Sequence, residues 1–378
     1  MTMVYSEEQR QLADTAREFL AAKSPVSALR HLREEQTTGG FDIALWREFA
    51  EMGWTAIPFP ESLGGLEFGC KGLGPIFEEI GRNLCASPML SSVVLAGSIL
   101  QFAGTTEQQA RWLPELIAGG KRLTLAVDEV ARHDPARIGL RAERDGDAYR
   151  LSGDKCFVID GVGADGWIVA ARLADGNLGL FLLESACDGL TVVPTPLIDS
   201  HNHARLILKD VRVSEASRMA QGEAREALEL ALDRARACLA AEMLGASQEM
   251  FDTTVEYLKT RVQFDALIGS FQALQHRAAW CYVHLSLARS TVMAALAALD
   301  DPALKASERS RLVSLAKWKA GEVAHRISNE AIQMHGGIGV TDELDIGLYM
   351  KRVRVAQASL GDKDFLVNHY DRAIAKPV

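Results

Sequence analysis

Apolar positions at the start of the chain step by three or four residues. Ser6 with Gln9 makes a capping-box pattern, Glu7 and Glu8 suit the positive end of a helix, and Leu12, Ala16, Phe19 and Leu20 share one face. Pro58, Pro60 and Gly64-Gly65 interrupt the pattern, so IPFPESLGGLEFG reads as a loop. Between 121 and 217 the pattern shortens. AYRLSGDKCFVID predicts two strands around a Ser-Gly-Asp turn, WIVAARLADGNLGLFLLES two more around Ala-Asp-Gly-Asn, and ARLILKDVRV another. Closely spaced short strands of this kind predict a small antiparallel barrel or sandwich.

Beyond about 222 the helical step returns and runs long. Leu228, Leu232, Ala235, Leu239, Met243, Ala246 and Met250 form one stripe. Leu274, Ala278, Cys281, Leu285, Ala288 and Val292 form a second, and Leu312, Ala316, Ala320, Val323, Ile327, Ala331 and Met334 a third. Stripes so rich in alanine predict closely packed antiparallel helices, the third ending at Gly336-Gly337 as a C-terminal cap. The expected architecture is mainly α with a central β-domain: helices over 1–120, a β-barrel or sandwich over 121–217 and a helical bundle over 218–378.

Composition narrows the function. At 378 residues, 48% apolar and 24% charged, the chain is an ordinary folded protein of more than one domain. A net charge of −9 with no basic stretch excludes a general nucleic-acid binder. The six cysteines stand singly at 70, 85, 156, 187, 238 and 281, which predicts reduced thiols and no zinc or disulfide framework. MTMVYSEEQRQL lacks a signal-peptide core, and no apolar stretch reads as a membrane span, so a cytoplasmic protein without membrane insertion is expected.

Several chemical-looking motifs dissolve in context. GVGADG (161–166) matches a dinucleotide fingerprint, but WIVAARL follows it as a strand where a helix is required. His201 and His203 lack further ligands for a metal. No Gly-x-Ser-x-Gly elbow occurs. One feature survives. RVQFDALIGSFQALQH (261–276) breaks a helix between Arg261 and Gln272 and lines the break with Gln263 and Phe264. A guanidinium fork suits phosphate oxygens, an amide both donates and accepts, and a ring covers a ribose or base. QMHGGIGVTDE (333–343) ends another helix in glycines that admit a ligand to the backbone.

These segments carry a resemblance. GWTAIPFPESLGG (53–65), YLKTRVQFDALIGSFQALQHRAA (257–279) and QMHGGIGVTDE resemble, in order and spacing, three signatures of the acyl-CoA dehydrogenase family. The resemblance covers nearly the whole chain. It implies an N-terminal helical domain, a β-domain, a C-terminal four-helix bundle, tetrameric assembly and FAD shared between two subunits. It further implies that Arg261, Gln263, Phe264, Gln272, Gln333, Gly336 and Gly337 hold the ADP half of FAD bound mainly by the neighbouring subunit. Acyl-CoA thioester substrates and an electron-transfer flavoprotein, or a similar acceptor, come with it. Asp265 departs from the family, where glycine is usual, and brings a carboxylate toward a pyrophosphate unless it turns outward or pairs with Arg261.

The reacting end departs more. The reaction needs a carboxylate to take the α-proton while the β-hydrogen leaves as hydride. The usual Glu position, after YMKRVRVAQAS, holds Leu360; the minority position, on the helix before the signature, holds Ala235. Asp362 and Asp364 are the nearest carboxylates. Val127, Asp128 and Glu129 stand for Thr-Glu-Pro, Arg132, His133 and Asp134 for Gly-Ser-Asp, and Phe157, Val158 and Ile159 for Trp-Ile-Thr. With the clamp kept and the base lost, the chain resembles the small, non-catalytic subunit of heteromeric (α2β2) acyl-CoA dehydrogenases acting on pimeloyl-CoA or steroid side-chain thioesters. The alternatives are a self-sufficient homotetramer with a displaced base, and a flavin-free scaffold.

Overall fold

Ser6 caps the first helix in the computed structural model, which describes residues 5–35, 39–219 and 224–375. The helices in chain order are α1 (Glu7–Lys23), α2 (Val26–Glu35), α3 (Ile43–Glu51), α4 (Gly69–Asn83), α5 (Gly97–Ala103) and α6 (Thr106–Ile117), followed by α7 (Ala224–Thr260), α8 (Gln272–Leu299), α9 (Ala306–His335), α10 (Ile346–Ala358) and α11 (Lys363–Ala375). The Ser6 hydroxyl accepts from the Gln9 N–H and the Gln9 side chain accepts from the Ser6 N–H, satisfying free donors reciprocally. Thr105 and Gln108 repeat the capping box at α6. The chain divides into two units: residues 1–30, 70–85 and 236–378 in one, 31–69 and 86–235 in the other.

The second unit carries the strands: β1 (Leu123–Ala126), β2 (Arg141–Asp145), β3 (Ala148–Ile159), β4 (Gly166–Leu173), β5 (Leu178–Glu184), β6 (Leu190–Pro194), β7 (His203–Ser214) and β8 (Arg218–Met219). They form one sheet in the order β6-β7-β3-β2-β4-β5-β8, with β1 against β4. Most pairs are antiparallel, but β1 and β2 each run parallel to β4. AYRLSGDKCFVID is not two strands. It is the single strand β3, whose ladder to β7 shifts register between Leu151 and Gly153 and again between Lys155 and Val158. The turn chemistry of Ser-Gly-Asp is spent on a bulge, for which Gly153 takes φ +143°. Tyr149, Leu151, Trp167, Val169, Phe181, Leu206 and Val211 form the core of this sheet. GVGADG is the turn from β3 to β4, its Gly161 carbonyl accepting from Trp167 Nε1 at 3.1 Å.

The first unit is helical. The predicted α7 stripe, whose Leu228, Leu232 and Ala235 belong to the second unit, is buried throughout, the α9 stripe from Ala316 onward and the α8 stripe from Cys281 onward. Each leucine or methionine so buried contributes roughly 1.5–3 kcal/mol. One expectation fails here. α8 is, among the described helices, long and apolar enough to cross a membrane by length and composition, although no such stretch was read from the sequence. Half of its most apolar window is buried within the protein, as in the core helix of a bundle.

Candidate functional site

α7 stops at Thr260 and α8 starts at Gln272. Between them Val262–Gln263 (β9) pairs antiparallel with Ala266–Leu267 (β10). The two connecting residues, Phe264 and Asp265, have φ +54° and +58°. Positive φ at both central residues is the type I′ turn, whose twist matches the flanking strands and which favours Asn or Asp before Gly. Phe in that conformation is strained. Its ring is 89% exposed and meets Phe271 edge-on at 6.3 Å.

An apolar node fixes this hairpin. Ile268 packs with Leu258 and Met334, flanked by Tyr257, Leu274 and Ala278, and its N–H donates to the Arg261 carbonyl at 2.9 Å. A Cβ on Gly269 would come within 2.7 Å of the Leu258 carbonyl oxygen, so the turn lies directly on α7. The node joins the end of α7, the start of α8 and the end of α9. The segment that carries Arg261, Gln263, Phe264 and Gln272 is thereby anchored to the end of α9, where Gln333, Gly336 and Gly337 follow one another.

The polar groups at this junction are open. Arg261, Gln272 and Gln333 are exposed and, among the described residues, make no side-chain hydrogen bond or ion pair. The Gln263 amide donates to the Val262 carbonyl at 2.9 Å, within its own strand. Asp265 is exposed and forms no ion pair with Arg261 among the described residues. Gly336 takes φ +65° and ψ −137°, a conformation that glycine reaches far more readily than any other residue. Nothing lies within 4 Å of a Cβ built on Gly336 or Gly337, so the backbone there stands bare.

Two residues that the sequence did not single out complete the support. The His335 ring lies over Tyr257 with centroids 4.4 Å apart. Its Nδ1–H donates to the Ala331 carbonyl at 2.8 Å, while Nε2 is buried and makes no hydrogen bond among the described residues. Burial holds its pKa below the usual histidine range, so the ring stays neutral. The only sequence signal was the position of each residue inside its motif, YLKTRVQF and QMHGG.

The reacting end is occupied otherwise. Leu360 is buried and sits at φ +57°, a conformation costing a leucine about 1–2 kcal/mol. Two buried basic side chains fix its loop: Arg236 Nε donates to the Leu360 carbonyl at 2.9 Å and Lys317 Nζ to the Gly361 carbonyl at 2.6 Å. Asp362 caps α11, accepting from the Phe365 N–H at 2.9 Å. Asp364 lies in the first turn of α11, where its charge suits the helix end. Ala235 is wholly buried in α7.

In the sheet unit the family-register positions are tied to one another. Asp128 accepts at 2.8 Å from the buried His133 Nδ1. Glu129 accepts from the Gly139 and Leu140 N–H groups at 2.7 and 2.9 Å and from Lys155 Nζ at 2.7 Å. Burial would raise the Glu129 carboxyl, but Lys155 and these two amides outweigh it and hold the pKa below the ordinary value. Phe157 sits at φ +51°, 39% exposed, in the second β3 bulge. Ile159 offers no hydroxyl; its carbonyl accepts from Thr124.

Comparison with known proteins settles the family. Residues 6–120 match the acyl-CoA dehydrogenase N-terminal domain and residues 220–375 the acyl-CoA dehydrogenase C-terminal domain. The acyl-CoA dehydrogenase IpdE2 of Mycolicibacterium smegmatis is 31% identical over 357 residues, covering 94% of this chain and 95% of its own. The chain belongs to the acyl-CoA dehydrogenase family. Among solved structures, a variant of the Tcur3481-Tcur3483 steroid ACAD is 33% identical with a TM-score of 0.87, covering 98% of both chains. The ChsE4-ChsE5 complex from Mycobacterium tuberculosis is 27% identical with a TM-score of 0.89, covering both chains fully. The family's activity is FAD-dependent dehydrogenation of acyl-CoA thioesters, and the chain is accordingly an oxidoreductase acting on CH–CH bonds. The open side chains of the α7–α8 junction and the bare glycines at the end of α9 fit the polar, diphosphate-bearing end of such a dinucleotide.

Proposed function

We propose that this chain is the clamp-bearing, base-deficient subunit of a heteromeric FAD-dependent acyl-CoA dehydrogenase. The observation that carries the reading is a contrast within one polypeptide. Arg261, Gln272 and Gln333 stand exposed and, among the described residues, unpaired around the bare Gly336-Gly337 backbone, while neither Leu360 nor Ala235 can accept a proton and Asp362 serves as a helix cap. Arg261 and the amides of Gln263, Gln272 and Gln333 would grip the ADP half of FAD held mainly by a partner subunit. Phe264 would cover its adenosine, and Gly336 and Gly337 would let the chain approach closely. FAD, when bound, supplies the hydride acceptor; the partner supplies the carboxylate for the α-proton.

Assembly is supported by the outer face of α8, where Tyr282, Val283 and Leu287 are 62%, 53% and 49% exposed. Clustered exposed apolar residues of this kind mark a surface that another chain covers. The solved relatives described as a steroid ACAD and as a two-component complex support an α2β2 arrangement. The steroid ACAD supports a steroid CoA thioester as substrate; the sequence resemblance leaves a dicarboxylyl thioester as the other choice, with electrons passing to an electron-transfer flavoprotein or similar acceptor. Six free cysteines agree with work in the cytoplasm.

Co-expression with a neighbouring acyl-CoA dehydrogenase gene product tests the reading. The isolated chain should be flavin-poor and inactive, and the co-purified tetramer yellow and active with fewer flavins than subunits. Full flavin loading and turnover by the single chain would establish the self-sufficient homotetramer instead. A colourless complex would leave the flavin-free scaffold.

A further inference from the structure

Arg354 on α10 has no acid within one helical turn on its own helix. Its guanidinium donates to three neutral acceptors: Nη1 to His325 Nδ1 at 2.5 Å and to Gln357 Oε1 at 3.2 Å, and Nη2 to Asn329 Oδ1 at 2.9 Å. Among the described residues it makes no ion pair. The carboxylates of the facing helix α9 are taken elsewhere, Glu308 by Arg311, Glu322 by Lys363 and Glu330 by Arg277 and Arg326. The side chain is half-buried, and burial alone pulls its pKa down. A half-buried guanidinium without a counter-charge is a cost that folded proteins seldom carry unless an anion offsets it.

The three acceptors also fix what their other ends present. Because His325 Nδ1 accepts from Arg354, the ring's proton is on Nε2. Because Asn329 Oδ1 accepts, its NH2 group is left as a donor. Of the five guanidinium N–H groups, three are used, and Nε–H and one Nη2–H remain. The groups left free on the guanidinium, the imidazole and the Asn329 nitrogen are donors, arranged around a fixed positive charge. That is an anion receptor.

Its place on the helix connects it to the candidate site. His325, Asn329 and Gln333 recur every four residues on α9 and are all exposed, so they share one stripe that runs into Gly336-Gly337. Asn329 and Gln333 are separated by about 6 Å along the axis.

We propose that Arg354, with His325 and Asn329, is an anion subsite that takes a phosphate oxygen of the dinucleotide whose ADP end lies along Gln333–Gly337. The proposal rests on the clamp reading above and adds the positive charge on the α9 side to that of Arg261. Charge-assisted hydrogen bonds of this type make their partners strongly dependent on both charge and fork geometry.

The test uses the co-expressed complex stripped of flavin and titrated with FAD, with inorganic pyrophosphate as competitor and Arg261→Ala as the reference variant. Arg354→Gln should weaken FAD binding roughly tenfold or more and remove most of the competition by pyrophosphate, leaving the tetramer intact by light scattering. Arg354→Lys should fall between, and Asn329→Ala should reproduce part of the loss if Arg354→Gln fails to fold. Wild-type FAD affinity in Arg354→Gln, with loss in Arg261→Ala, would overturn the subsite and spare the clamp. Wild-type affinity in both variants would overturn the clamp itself. Two further outcomes would also overturn the subsite. One is dissociation of the tetramer with unchanged flavin per intact tetramer, which would make the anion a partner's carboxylate. The other is a shift in CoA binding without one in FAD binding.

Discussion

Lys317 reaches across from α9 to donate to the carbonyl of Gly361 at 2.6 Å, the residue after the family's usual base position. Burial first and Arg236 second push this lysine down to about 7, with Asp362 partly opposing both. A lysine whose folded pKa lies below its unfolded value of about 10.4 binds its proton more weakly when folded. The unfolded state then holds more protons between about pH 7 and 10, so stability should rise with pH across that window. Urea melts of the wild type should show the rise. Lys317→Met should lack it, while losing stability at alkaline pH because the Gly361 carbonyl is orphaned. A parallel pH profile in the two proteins would refute the assignment.

Gly245 and Gly81 bring α7 and α4 into backbone contact. A Cβ on Gly245 would fall 1.7 Å from the Glu78 carbonyl oxygen, and one on Gly81 1.9 Å from that of Glu242. Neither neighbour is a flexible side chain that can step aside. Gly245→Ala should therefore force the helices apart and destabilise the protein by about 1–3 kcal/mol or more. Thermal unfolding checks this: an unchanged melting temperature would mean that the helices separate freely.

The helices and the break between α7 and α8 were legible because each rests on local chemistry. Ser6/Gln9 and Thr105/Gln108 advertise helix starts, the Leu228-to-Met250 stripe advertises a buried face, and Arg261 to Gln272 advertises a break. What escaped depends on partners distant in sequence. Ser-Gly-Asp at 152–154 has the composition of a turn, but pairing with β7 makes it a bulge. Parallel pairing of β1 and β2 with β4 leaves no local trace. α8 reads as a mixed stretch until its buried and exposed apolar faces are seen together. The cap that Asp362 makes on α11 is a property of the backbone around it. Arg354 passed unnoticed because an arginine without an acid is visible only once its neighbours are placed.

Lys155 is wholly buried and its counter-ion Glu129 largely so, joined at 2.7 Å. The carboxylate also ties down the Gly139 and Leu140 amides, so the pair fixes the segment that leads into β2. Lys155→Met strands the carboxylate and should cost about 3 kcal/mol. Adding Glu129→Gln should recover part of that, since the amide oxygen still accepts from the backbone while the uncompensated charge is gone. A double-mutant cycle with no coupling would show that the two side chains act independently.

Asp265 is the one residue of the hairpin that works against the function proposed for it. Its φ of +58° is reached more easily by glycine, and its carboxylate stands in the open loop beside Arg261, whose guanidinium has no partner among the described residues. Asp265→Gly should relieve the left-handed conformation, an effect of under about 1 kcal/mol once the entropy of the added glycine is set against it. The larger consequence is electrostatic. Removing a negative charge near a bound diphosphate should tighten FAD binding by the co-expressed complex several-fold at low salt, and less at high salt because the group is exposed and screened. Asp265→Asn separates the two effects, since asparagine tolerates the left-handed region and lacks the charge. Equal tightening by both variants would assign the effect to charge. Weaker binding by both would mean that the carboxylate contacts the ligand directly, and the ADP half would then have to lie against the hairpin with its hydroxyls, not its phosphates, facing Asp265.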